Sequence, residues 1–135
     1  MRTIADNEIV AAVRAALPDV EAVYLFGSFA AGRQNEESDL DVAIVTNGRL
    51  ERLRLWNARC AISNILDIDV DLVEYREVDT LLQHQILVNG RRIYGESDDL
   101  DLYDVAVLSE MTSLQERLQP LLADIIRDGS VYGRK

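Results

Sequence analysis

Tyr24 to Val45 reads "YLFGSFAAGRQNEESDLDVAIV". Two apolar runs flank a polar loop, and the second run opens with Asp39 and Asp41. Side chains alternate along a strand, so Asp39, Asp41, Ala43 and Val45 share one face, and Leu40, Val42 and Ile44 the other. At a rise of roughly 3.3 Å per residue the two carboxylates stand about 6–7 Å apart. That spacing lets both converge on one metal ion or bracket a pair roughly 3.5–4 Å apart. Hard divalent cations such as magnesium take carboxylate oxygens together with substrate phosphates. Phosphoryl or nucleotidyl transfer is the chemistry that needs this arrangement. Gly27 and Ser28 supply the complementary half, where a strand gives way to a helical turn. Glycine lets the backbone come close to a phosphate, and amides at a helix start point toward it.

Working outward, strands and helices alternate without a linker or repeat. "DNEIVAAVRAAL" has Asp6 as an N-cap and apolar residues at Ile9, Val10, Val13 and Leu17, a helical spacing. Val20 to Phe26 is a strand, "SFAA" a short helical turn, and Asp39 to Val45 a second strand. Arg49 to Leu66 is a helix, with Leu50, Leu53, Trp56, Cys60 and Ile65 or Leu66 as its apolar positions. Cys60 is therefore expected in the core, and so is Trp56, for which a place near a nucleobase is the alternative. Ile68 to Tyr75 is a third strand, and "DTLLQHQILV" a helix ending at Asn89-Gly90. "RRIYG" adds a short edge strand. From Asp98 a long helix repeats apolar residues at Tyr103, Val107, Met111, Leu114 and Leu118, with a kink expected at Pro120. The implied fold is α/β, a small mixed sheet flanked by helices, followed by a long C-terminal helix. One domain is expected over 1–135, with a core to about residue 95 and a helical extension over 96–135.

Composition narrows the function. With 24 acidic and 14 basic residues the net charge is −10. Nucleic-acid binders carry a basic footprint, so DNA or RNA is not an expected partner, whereas a basic protein surface is. No apolar run approaches the roughly 20 residues that span a bilayer, and the acidic start lacks a signal peptide's apolar core. The single cysteine, Cys60, makes neither an intrachain disulfide nor a zinc site. A cytoplasmic location is expected. His84 has no second ligand near it in sequence and reads as an ordinary helix residue. Arg33 follows Gly32 in the loop, where it either touches a triphosphate or is solvated. "GSFAAGRQ" lacks the Lys-Ser/Thr pair of a Walker loop, and no EF-hand glycine and glutamate follow "DLD".

"GS", ten intervening residues and "DLD" together resemble the G-S-x10-D-x-D signature of nucleotidyltransferases related to DNA polymerase β. The small size and the following "IDVDLVEY" resemble the minimal, or MNT, branch. The resemblance spans about Val20 to Gly95. It implies a third carboxylate on the "IDVDLVEY" strand and favours Asp71. By strand parity alone Asp69 and Asp71 share a face, so the residues themselves leave both open. On this resemblance Asp39, Asp41 and Asp71 are the catalytic carboxylates and hold magnesium, two ions in all. Gly27 and Ser28 bind the phosphates of ATP. Stand-alone MNT proteins are commonly antitoxins paired with HEPN ribonuclease toxins. The resemblance thus implies AMP transfer to a toxin tyrosine, in a hetero-oligomeric complex. Transfer to a small molecule such as an aminoglycoside, and a scaffold that neutralises the toxin by covering it, are the alternatives.

Overall fold

The structure, a computed structural model, describes residues 3–32 and 38–127. Helix α1 (Asp6–Ala16) leads into strand β1 (Ala22–Phe26) and a single helical turn, α2 (Gly27–Ala31). Strand β2 (Leu40–Val45), helix α3 (Arg52–Leu66) and strand β3 (Val70–Glu74) follow. Helix α4 (Thr80–Asn89), strand β4 (Arg91–Tyr94) and helix α5 (Asp98–Arg127) come next. The four strands of the described residues form one sheet in the order β3-β2-β1-β4. β1 is antiparallel to both β2 and β4, while β2 and β3 run parallel. A parallel pair needs a crossover, and α3 provides it.

Strand alternation sorts the core into two layers. Val23, Leu25, Leu40, Val42, Ile44, Val70 and Leu72 face α1 and α3, packing with Ile9, Val13, Leu17 and Ile62. Ala22, Tyr24, Ala43, Val45 and Tyr75 face the other way, packing with Ile86 of α4 and with Leu100 and Val107 of α5. The expected mixed sheet flanked by helices is therefore present, with a helical layer on each side.

Two expectations need correction. The N-cap of α1 is Ala5 rather than Asp6. Glu8 reaches back to accept from the Ala5 amide at 3.0 Å, which moves the helix start one residue earlier. The second concerns the rotation of α3. Its buried line is Ala58, Ile62 and Leu66, whereas Leu53 is 70% and Trp56 55% exposed, and Cys60 is also exposed. The helix carries apolar residues on both sides, so spacing alone does not choose between them. The choice falls to polar contacts with the neighbouring strand. Arg59 Nε donates to the Val70 carbonyl at 2.8 Å, and Ser63 Oγ to the Ile68 carbonyl at 2.5 Å. Both bonds hold the Ala58–Ile62 side inward.

The tail helix begins at Asp98, with Asp98, Asp99 and Asp101 in its first turn, where negative charge suits the helix dipole. It buries Leu100, Val107 and Met111 and is helical through Pro120. Arg33 and the side chains of Leu114 and Leu118 lie outside the described residues. No helix among the described residues is long and apolar enough to cross a membrane.

Candidate active site

The carboxylates meet because of strand register. In the parallel pairing of β2 with β3, Asp41 is the Cα partner of Asp71 and Leu40 the partner of Val70. Leu40 and Val70 enter the core beneath α1 and α3. Asp41 and Asp71 must then both point to the side that carries α4 and α5. Asp39 lies on the same side, one strand repeat before Asp41. Asp39 and Asp71 are exposed and Asp41 is partly buried, so the row opens from the sheet's interior to solvent.

Asp41 records this crowding. Burial pushes its carboxyl up to about 6, and the charges of Asp71 and then Asp39 add to the rise. Asp69, equally placed by sequence parity, is not among the causes; its backbone carbonyl instead accepts from the Leu40 amide at 2.9 Å. Structure thus brings Asp71, rather than Asp69, against Asp41. Among the described residues no three His, Cys, Asp or Glu side chains come together as a group that could hold a metal ion. The donor chemistry nonetheless fits a hard cation. The row presents only carboxylate oxygens, the donor set that such a cation takes.

Gly27 closes the site from β1. Phe26, the last residue of that strand, pairs with Asp41, so the chain turns into α2 directly beside the carboxylate. Gly27 turns there at φ +75°, and a Cβ at this position would run into Asp41 Oδ2. Both the left-handed backbone and the close approach require glycine. The first-turn amides of α2, Ser28 among them, have no partner within the helix. Arg91 steadies the far end of the turn: Nη1 donates to the Ala30 carbonyl at 3.4 Å, while Nη2 pairs with Asp6 at 2.9 Å.

Sequence reasoning missed a second polar cluster on the same side of the sheet. Asp104 of α5 accepts from the Tyr24 hydroxyl at 2.9 Å, from the Tyr75 hydroxyl at 2.9 Å and from Arg92 Nη2 at 2.8 Å. The Tyr24 and Tyr75 rings stack at 4.5 Å, and Tyr103 meets Tyr75 edge-on. Gln83 donates to the Tyr75 carbonyl and to the Tyr103 hydroxyl. One signal was present in the sequence. Asp104 lies between Leu100 and Val107 on the apolar stripe of the helix, and a carboxylate on a buried stripe demands donors.

A helix-flanked mixed sheet whose strand ends set a glycine turn against a row of carboxylates has the construction of a nucleotidyltransferase. Residues 7–99 match the family described as polymerase beta, nucleotidyltransferase. Protein adenylyltransferase MntA of Shewanella oneidensis is 31% identical over 126 residues, covering 93% of this chain and 91% of MntA. A chain in a crystal structure of a toxin-antitoxin with AMP-PNP superposes with a TM-score of 0.77 at 31% identity, covering 91% of this chain and 99% of that one. A chain in the structure of a tri-AMPylated S. oneidensis HEPN toxin in complex with MNT antitoxin gives 0.69 at 29% identity, covering 90% and 95%. The chain belongs to the polymerase beta nucleotidyltransferase family, in its minimal branch.

Proposed function

We propose that the protein is an antitoxin that transfers AMP from ATP to a tyrosine hydroxyl of a HEPN toxin, thereby silencing it. The observation that carries this reading is the parallel register that sets Asp71 against Asp41, with Asp39 one repeat away and Gly27 beside them. The likeness to MntA and to MNT–HEPN complexes supports the choice of a protein acceptor.

In this reading Asp39, Asp41 and Asp71 would hold magnesium, which supplies charge neutralisation at the triphosphate. Gly27 and Ser28 receive the β- and γ-phosphates on backbone amides and a hydroxyl. The toxin's tyrosine oxygen attacks the α-phosphorus. A new O–P bond forms as the bond to the bridging oxygen breaks, and pyrophosphate leaves with the electron pair. Asp71, exposed at the edge of the row, takes the hydroxyl proton. Asp41, the more enclosed carboxylate, would keep to holding the cation.

The test is the intact mass of the toxin after incubation with this protein, ATP and magnesium. Increments of about 329 Da, one per AMP, are expected. They should be absent with Asp41→Asn, while that variant retains its circular dichroism. An unmodified toxin in the wild-type reaction would overturn the reading.

A further inference from the structure

The carboxylate row and the α4–α5 layer occupy the same side of the sheet. Asp41 points to the side on which Tyr24, Ala43 and Tyr75 pack with Ile86, Leu100 and Val107. Tyr24 pairs with Ala43, one strand repeat, or roughly 6.6 Å, behind Asp41. An acceptor that approaches the row across this side of the sheet meets the edge of the α4–α5 layer. On that approach the pose of α5 bears on acceptor access as well as on packing.

Asp104 stands out among the polar attachments of this helix. Asp101 and Glu110 also bond to the body, through Arg92 and Thr80, but both are exposed. The Asp104 side chain is 16% exposed and collects its donors from β1, from the end of β3 and from β4. Tyr24 and Tyr75 are wholly buried, and burial together with the Asp104 carboxylate holds both phenols protonated as donors. Three strands thus converge on one carboxylate of one helix. A buried charge with this many donors fixes position more than it adds stability, because its own desolvation offsets much of the gain.

We infer that Asp104 is a positioning residue for the protein acceptor: it sets α5 across the carboxylate side of the sheet, and α5 sets where the acceptor lies relative to Asp41 and Asp71. This inference rests on the proposed AMP transfer to a protein. Asp104 bonds to Tyr24, Tyr75 and Arg92 and not to the carboxylate row, so its removal should act on the acceptor side alone.

The experiment compares wild type with Asp104→Asn, measuring the toxin KM, the kcat at saturating toxin and the affinity for ATP with magnesium. The amide keeps the shape but loses the charge that gathers the donors. Toxin KM should rise about tenfold, while ATP affinity stays within about twofold and kcat within about threefold. Tyr75→Phe, which deletes one donor and keeps the stacked ring, should raise toxin KM by about threefold. It serves as the test on its own if Asp104→Asn does not fold. ATP affinity that weakens in step with toxin KM would show general loosening, and an unchanged toxin KM would show no role; either overturns the inference. A wild-type reaction that puts no AMP on the toxin overturns the parent reading and this inference together. Transfer by wild type with an unaltered KM in the variants overturns the inference alone.

Discussion

Asp41 is a carboxylate held where ionising it is unfavourable, and this makes it measurable without any substrate. Its folded-state value of about 6 lies above the usual carboxylate range. Stability contributed by such a group is complete below about pH 4 and is lost as pH rises through about 6. In the absence of divalent cations, Asp41→Asn should melt higher than wild type at pH 7.5. After allowance for solvent screening the gain is on the order of 1 kcal/mol, or about 3 °C in Tm. The difference should vanish by about pH 4, and magnesium should narrow it at pH 7.5 by restoring the wild type. Two further substitutions act at this scale. Gly27→Ala introduces a methyl against Asp41 Oδ2 on a left-handed backbone. AMP transfer should fall at least about a hundredfold, with a smaller loss of stability. Asp71→Asn should lower kcat by about a hundredfold or more, whereas Asp69→Asn should leave it within about threefold. Equal losses in the two would return the third carboxylate to an open choice. Strand parity could not make that choice, because both residues share a face, and only the family resemblance favoured Asp71. In the structure the pairing of β3 with β2, residues some thirty positions away, distinguishes them.

Helix α3 shows what happens to an element whose pattern is two-sided. Leu53, Trp56 and Cys60 form as regular an apolar line as Ala58, Ile62 and Leu66, and the former are the larger residues. Burial nonetheless goes to the line with the small Ala58, because Arg59 and Ser63 bond to backbone carbonyls at Val70 and Ile68. Ile62→Ala should therefore cost about 3 kcal/mol in urea unfolding, and Leu53→Ala less than about 0.5 kcal/mol. The reverse order would mean that the helix is rotated. The strands were legible for the opposite reason: β2 alternates without ambiguity once Asp39 and Asp41 are assigned to one side. The turn at Gly27 was legible too, since its position between strand and helix is local. Tyr24 was not. In sequence it is one more aromatic residue in a strand, and its meaning depends on Asp104, eighty residues later.

At the level of the whole molecule, the sheet separates two tasks. α1 and α3 cover one side with a mainly apolar layer. The other side carries α4, α5, the tyrosine–Asp104 cluster and the carboxylate row. The acidic balance read from composition is concentrated in part on that second side, where Asp41 pairs with Asp71 and Asp39 lies one strand repeat away. In the proposed reading a cation would complement such a row, and the phosphates of ATP would share in holding it. The central claim is that these three carboxylates and the Gly27 turn form one site for magnesium and a triphosphate. A crystal structure with manganese and a non-hydrolysable ATP analogue tests it most directly. The account predicts anomalous peaks among the carboxylates of Asp39, Asp41 and Asp71, with the terminal phosphates against Gly27 and Ser28. Peaks elsewhere, or a bound analogue with Asp71 turned away from Asp41, would contradict it.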